Sequence, residues 1–196
     1  MRSAEIRRAT AETNIELRLN LDGTGAGRIA TGVGFMDHML TLFAKHARMD
    51  LDAVCKGDTY VDDHHSVEDI GICLGAAIAK AVGDKRGIRR YGSMLLPMDE
   101  ALVLCALDLS GRSCLRVQAQ IPSQKIGTFD TELVEEFLLA LTRSAGMTLH
   151  MRQMDGTNSH HIVEAMFKAL GRALREAVSI DESLGGEIPS TKGVLV

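Results

Sequence analysis

Two short segments carry most of the chemistry available to this sequence. His64-His65-Ser66-Val67-Glu68 recurs 96 residues later as His160-His161-Ile162-Val163-Glu164. On a helix, residues four apart lie about 40° apart around the axis, whereas neighbours lie about 100° apart. His64 and Glu68 can therefore grip one ion together while His65 points elsewhere. His160 pairs with Glu164 in the same way and leaves His161 turned aside. One such motif would hold a metal poorly and leave a histidine unused. Two copies in a pseudo-twofold arrangement remove the difficulty, because each helix gives a His/Glu pair to one ion and its spare imidazole to the other. Imidazole and carboxylate donors without sulfur suit a divalent ion such as Mn²⁺, Fe²⁺ or Zn²⁺. Histidines bonded only to nearby carboxylates would account for one such pair more readily than for two duplicated ones.

Further donors follow from the repeat. His38 stands 26 residues before His64, on the preceding helix. Its counterpart falls near 134–136, where Glu135-Glu136-Phe137 stands, so His38 and Glu136 are candidates for one more ligand at each site. Asp69 follows Glu68 but has Ala165 as counterpart. It lies outside the repeat, either as a carboxylate behind a ligand or as a solvated charge.

The elements that must position these groups are duplicated too. Leu74-Gly75 aligns with Leu170-Gly171, Ala77 with Ala173, and Ala81-Val82 with Ala177-Val178. A second echo joins Leu19-Asn20-Leu21-Asp22-Gly23 to Leu107-Asp108-Leu109-Ser110-Gly111. Residues 4–9 and 13–21 read as strands joined onward by the Asp22-Gly23 turn, followed by a helix at 36–47 and a strand at 49–57. That first helix carries Met36, Met39, Leu40, Phe43 and Ala47 on one stripe. A long helix, His64 to Val82, completes the first half. The second half reads as strands at 101–109 and 113–121, a helix at 130–145, a strand at 147–153 and a helix at 159–178. This order, met twice, predicts an α+β fold with helices covering one face of each sheet. The half-domains are 1–92 and 93–184, and Pro189 and Gly193 mark 185–196 as an irregular tail.

Composition narrows the function classes. The 196 residues are 45% apolar and 24% charged, enough for one large or two small fused domains with a real core. No apolar run approaches the ~18 residues of a membrane-spanning helix. Lys+Arg 22 against Asp+Glu 26 leaves a net charge of −4 and a pI near 6.0, which argues against a general nucleic-acid binder. There is no Trp, with two Tyr and five Phe, so a base-stacking platform is not expected either. A local basic pocket for a small anion is compatible with this balance. Cys55, Cys73, Cys105 and Cys114 form no close pair and read as buried free thiols in a reducing compartment. Arg2, Glu5, Arg7 and Arg8 leave no room for an apolar secretory core near Met1, and the chain reads as cytoplasmic.

Several blocks resemble imidazoleglycerol-phosphate dehydratase. They are Phe35-Met36-Asp37-His38-Met39-Leu40, Asp62-Asp63-His64-His65-Ser66-Val67-Glu68-Asp69 and Asp108-Leu109-Ser110-Gly111-Arg112, with Asn158-Ser159-His160-His161-Ile162-Val163-Glu164-Ala165 and Ile188-Pro189-Ser190-Thr191-Lys192-Gly193. From Thr10-Ala11-Glu12-Thr13 to the tail, the likeness covers nearly the whole chain. It implies a dehydratase of histidine biosynthesis that converts D-erythro-imidazole-glycerol phosphate to imidazole-acetol phosphate. It also implies two Mn²⁺ per active site and a homo-oligomer, trimers assembling into a twenty-four-subunit shell with sites shared between subunits. The implied fold is a duplicated split β-α-β half-domain, each half a four-stranded sheet with helices on one face. Where many members carry Val-Glu-His-Phe, this chain has Val134-Glu135-Glu136-Phe137, so Glu136 stands in for a histidine ligand as a carboxylate, the competing reading being a lost ligand or a changed metal preference.

The chemistry fits such residues. A proton must leave an unactivated carbon, and hydroxide must leave the carbon beside an imidazole, with no carbonyl to hold the charge. Metals on both ring nitrogens favour imidazolate, which can expel the neighbouring hydroxyl through a diazafulvene-like intermediate. The resemblance makes Glu12 the expected general acid/base and Asp99 and Glu100 candidate orienting groups. Glu164 and Lys168, one turn apart on a helix, would sit together, with Lys168 polarising the leaving oxygen. Arg90, Arg112, Ser190 and Lys192 are the implied phosphate cradle, since arginine forks give directional hydrogen bonds. Two other classes compete: a dinuclear metallohydrolase acting on a phosphate ester or amide, and a metal-storage or metal-stapled assembly in which Glu12 and the cradle have no role.

Overall fold

The computed structural model of the chain describes residues 2–195, so Met1 and Val196 lie outside the described residues. The first half runs β1 (Ser3–Ala9), β2 (Thr13–Asn20), β3 (Ile29–Ala30), α1 (Gly34–Ala47), β4 (Asp50–Gly57) and α2 (His64–Val82). The second half runs β5 (Tyr91–Met98), β6 (Ala101–Asp108), β7 (Cys114–Gln118), a two-stranded ribbon of β8 (Lys125–Ile126) and β9 (Phe129–Asp130), α3 (Leu133–Ala145), β10 (Thr148–Asp155) and α4 (Ser159–Val178). A 3-10 turn, Glu182–Leu184, follows, and residues 185–195 contain no helix or strand.

The two main sheets share one topology, β1-β2-β4-β3 and β5-β6-β10-β7. In each, three strands are antiparallel and the last edge strand runs parallel to its neighbour. Alternation in β2 buries Ile15, Leu17 and Leu19 and exposes Glu16 and Arg18, so one face is core and the other solvent. β6 buries Ala101, Val103, Cys105 and Leu107 in the same rhythm.

The α+β class and the four-stranded, helix-covered sheets agree with expectation, and α2 and α4 begin and end where the sequence places them. The strand inventory needs correction. β3 and β5 have no counterpart in the sequence reading, and the second half's first pair is β5–β6, not 101–109 with 113–121. β7 pairs with β10 instead. β5 escapes because Gly92 and Pro97 interrupt its pattern, and Pro97 is tolerated there because β5 is an edge strand. It begins at Tyr91, two residues before 93. Cys55, Cys73 and Cys105 are buried but Cys114, on edge strand β7, is exposed, and all four are free. Burial pushes the Cys73 thiol up to about 11 and Cys105 up to about 12, which keeps both unreactive.

The helices interlock the halves. α2 lies on β1, β2 and β4, and α4 on β5 and β6, yet α2 packs against α3 and α1 against α4. Glycines make both crossings possible. A Cβ on Gly75 would stand 2.5 Å from the Leu141 carbonyl, and one on Gly171 would stand 2.7 Å from the Phe43 carbonyl. Each long helix thus docks the short helix of the opposite half, and helix-bound side chains of one half reach the motif of the other. No helix is long and apolar enough to cross a membrane.

Candidate metal centre and anion pocket

The α4 motif starts at a well-made helix end. The Asn158 side chain accepts from the backbone N–H of His160 (2.9 Å) and His161 (3.2 Å), which fixes both imidazoles on the first turn. On α2, Asp62 accepts from the His64 N–H at 2.8 Å.

His160 Nε2 lies 3.1 Å from Glu164 Oε2, and His38 Nε2 lies 3.5 Å from the same oxygen. These three residues offer donor atoms that all fall within 4.8 Å of one another, the one such group of three or more among the described residues. The helix crossing is responsible: His38 belongs to α1, and α1 packs on α4. Phe35, one turn earlier, sets its ring edge-on to His160 with centroids 5.3 Å apart. Burial pushes the Glu164 carboxyl up, but Lys168, His160 and His38 outweigh it and hold it below the ordinary carboxylate range. Lys168 Nζ stands 2.5 Å from Glu164 Oε1 and also reaches the Met98 sulfur at 3.4 Å. Two nearly half-exposed imidazoles and a buried carboxylate, free of sulfur, form a donor set that fits a divalent transition ion.

The α2 motif is less complete within one chain. His64 Nε2 and Glu68 Oε2 are 3.8 Å apart, both near half-exposed. Gly75 faces Leu141 and Ala145 as Gly171 faces Phe43 and Ala47, which makes Glu136 on α3 the counterpart of His38 on α1. The structure leaves Glu136 half-buried and outside the three-residue group, and it does not bring His65 or His161 into that group either.

The spare histidines have carboxylate partners of their own. His65 Nδ1 lies 3.1 Å from Asp58, with Nε2 3.7 Å from Glu12. His161 Nδ1 lies 2.7 Å from Glu100, with Nε2 3.7 Å from Asp99. A carboxylate at Nδ1 retains the ring proton there and leaves the Nε2 lone pair for an ion. The Asp58 and Glu100 hydrogen bonds raise the His65 and His161 pKa values, and His161 with the Asn158 N–H holds Glu100 down at about 2. Glu100 thus makes the closer contact with the His161 ring, while Asp99 projects into solvent with a side chain 71% exposed. Spacing in the sequence does not single out Asp58; its one signal is its place at the end of a strand leading into the motif.

Glu12, in the β1–β2 turn, is half-exposed, and its carboxylate lies 3.7 Å from His65 Nε2. Asp69 is neither solvated nor beside an imidazole. Buried on α2, it accepts from Thr13 Oγ1 at 2.5 Å and from Arg8 Nε at 2.8 Å, which pins the turn that carries Glu12. Arg90, Arg112, Ser190 and Lys192 line one cavity of about 500 Å³ at the foot of the second sheet. That cavity shares no lining residue with the His38–His160–Glu164 group.

Fold and site together define an internally duplicated α+β protein with a His/Glu group able to hold a divalent cation and a separate cavity lined by Arg90, Arg112 and Lys192. The family described as imidazoleglycerol-phosphate dehydratase matches residues 31–174, a span that includes His38, both His-His motifs, Glu164 and Lys168. The dehydratase of Lachnoclostridium phytofermentans is 61% identical over 194 residues, covering 99% of this chain and 98% of that protein. That of Desulforamulus reducens is 59% identical over 194 residues, with the same coverage. Among solved structures, the dehydratase from Staphylococcus aureus superposes with a TM-score of 0.84 at 41% identity, covering 91% of this chain and 99% of that one. The Pyrococcus furiosus structure gives 0.85 at 39% identity, covering 97% and 100%. The chain belongs to the imidazoleglycerol-phosphate dehydratase family, hydro-lyases of histidine biosynthesis.

Proposed function

We propose that this chain converts D-erythro-imidazole-glycerol phosphate to imidazole-acetol phosphate at a site holding two Mn²⁺, as a cytoplasmic homo-oligomer of trimers built into a larger shell. The observation that carries the reading is the convergence of His38, His160 and Glu164 across the two halves of the fold. These three residues hold one ion. His64 and Glu68 begin the second site, with His65, His161 and Glu136 as the remaining donors, supplied in part by neighbouring subunits. Divalent ions bound there supply the Lewis acidity that favours the substrate ring as imidazolate.

The chain's own groups do the rest. Lys168, within reach of Glu164, presents its ammonium to the departing hydroxyl. Glu12, half-exposed beside His65, accepts the carbon-bound proton. Asp58 and Glu100 hold the His65 and His161 rings so that Nε2 faces outward. Arg90, Arg112, Ser190 and Lys192 bind the phosphate and keep it attached through the reaction.

The test is incubation of Mn²⁺-loaded protein with imidazole-glycerol phosphate, following ketone formation and free phosphate side by side. Ketone without phosphate release is expected, and Glu12→Gln should lower turnover about 1,000-fold or more. Phosphate release would indicate a metallohydrolase, and no turnover by folded, metal-replete protein would overturn the reading.

A further inference from the structure

Arg90 immediately precedes β5 and takes a left-handed backbone conformation (φ 71°), uncommon for a residue with a side chain. Its surroundings over-determine that conformation. The backbone N–H donates to the Ala177 carbonyl at 2.9 Å, and the Arg90 carbonyl accepts from Leu109 at 3.1 Å. The guanidinium is fully engaged on one side. Nε donates to Asp108 Oδ1 at 2.7 Å and Nη2 to Oδ2 at 3.1 Å, a side-on fork. Nη1 donates to the Pro189 carbonyl at 2.8 Å, and Cζ lies 4.7 Å over the centre of the Tyr91 ring. A guanidinium has five N–H groups. Three are taken here, and the two left over sit one on each terminal nitrogen.

Placing a carboxylate beside an anion pocket costs Coulomb energy unless it does something there. Asp108 lies on β6 directly opposite Tyr91 in the strand register, so its backbone is fixed by the sheet. The Arg90–Asp108 pair is mostly buried, with side chains 12% and 20% exposed. Half-buried Lys85 is a second cation near Asp108, and it donates to the Leu195 carbonyl at 3.4 Å. Arg112 and Lys192 make no ion pair among the described residues and are left to face an incoming anion.

We propose that Asp108 is a positioning residue for this pocket: by occupying the Nε–Nη2 edge of Arg90, it makes that arginine offer its two remaining terminal N–H groups to a phosphate monoester dianion. The inference rests on reading the cavity as the phosphate subsite. The same guanidinium ties Pro189, the neighbour of Ser190, so Asp108 also sets where the tail presents Ser190 and Lys192. The Lys192 N–H donates to Ser190 Oγ at 3.2 Å and the Gly193 N–H to the Ser190 carbonyl at 3.0 Å, a turn that follows directly on Pro189.

Asp108→Asn tests this on the assembled, metal-loaded enzyme. Asparagine keeps the shape but sets an N–H donor against the arginine edge. The KM for imidazole-glycerol phosphate should rise about 10-fold or more with kcat within about 3-fold, and the inhibition constant of inorganic phosphate should rise in step. Competitive inhibition by imidazole glycerol, which lacks the phosphate, should be unchanged, a selectivity that general loosening would not produce. Asp108→Glu, which restores a carboxylate, should recover part of the loss and serves if the asparagine variant fails to fold. Unchanged phosphate inhibition in both variants, or equal weakening for ligands with and without phosphate, would overturn the proposal. If inorganic phosphate fails to inhibit even the wild-type enzyme and Arg112→Ala leaves KM untouched, the phosphate reading of the cavity falls, and the role of Asp108 with it.

Discussion

Lys168 and Glu164 sit one turn apart on α4 with Nζ 2.5 Å from Oε1, while the second carboxylate oxygen faces His160 and His38. One carboxylate thus joins an ammonium to two imidazoles. An ion on the imidazole side and a proton donor on the lysine side would be held a fixed distance apart by a rigid helix. Lys168→Met keeps the length of the side chain but removes the charge. We expect it to retain bound Mn²⁺ and to lose about 100-fold or more in kcat. Metal content by elemental analysis beside steady-state kinetics checks both halves of that statement, and loss of metal would return Lys168 to a purely electrostatic role.

The Glu100–His161 pair makes a prediction about pH. Glu100 is held at about 2, so its share of the interaction is intact above the ordinary carboxylate range and is lost as pH falls towards 2. His161 is raised, so its share is intact below the ordinary histidine value and is lost as pH rises through the raised one. In metal-free protein the pair makes its full contribution to stability between about pH 4.5 and 6.5. Glu100→Gln should lower the His161 midpoint seen by NMR titration of the metal-free protein. It should also weaken Mn²⁺ affinity about 10- to 100-fold, because Nδ1 faces a neutral amide in place of the carboxylate whose charge holds the proton and the ring. An unmoved midpoint would contradict the hydrogen bond at 2.7 Å.

The glycine notches predict stability effects. Gly75→Ala would set a methyl 2.5 Å from the Leu141 carbonyl and 2.7 Å from Ser144 Cβ, so the helices must part. A loss of about 1–3 kcal/mol is expected, from overpacking between backbone elements that cannot yield as a side-chain tip does. Gly171→Ala should cost a similar amount at the α1–α4 crossing. It should also loosen Mn²⁺ binding, because that crossing carries His38 to His160. Chemical denaturation reports the first effect and metal titration the second.

Assembly should depend on metal. The His64–Glu68 pair gathers no third donor within its own chain among the described residues, so the second centre proposed above would take a donor from another subunit. Chelation, or acid that protonates the imidazoles, should shift the protein to smaller species in size-exclusion chromatography with light scattering. Mass unchanged by a strong chelator would separate metal binding from assembly.

Much of the site is legible in the sequence because its geometry is local. The pairing of His160 with Glu164, and of Glu164 with Lys168, follows from residues four apart on a helix. The duplication around the His-His motifs is written in the order of Leu-Gly, Ala and Ala-Val matches. Arg90, Arg112, Ser190 and Lys192 could be named by likeness to a family, but their meeting in one cavity depends on how the tail returns to the second sheet, as the Gly87–Glu187 and Arg90–Pro189 hydrogen bonds show.

What the sequence alone determined is the inventory: the two motifs, the extent of α2 and α4, and the α+β class, all set by short-range periodicity. What the tertiary structure decided is partnership. It sent His38 to the motif of the opposite half, separated Glu100 from Asp99, and recruited Asp58 and Asp69, none of which local spacing specifies. The reason is physical: those choices hang on two glycine-lined helix crossings and on strand ends that meet only after both sheets form, contacts made between residues far apart in the chain.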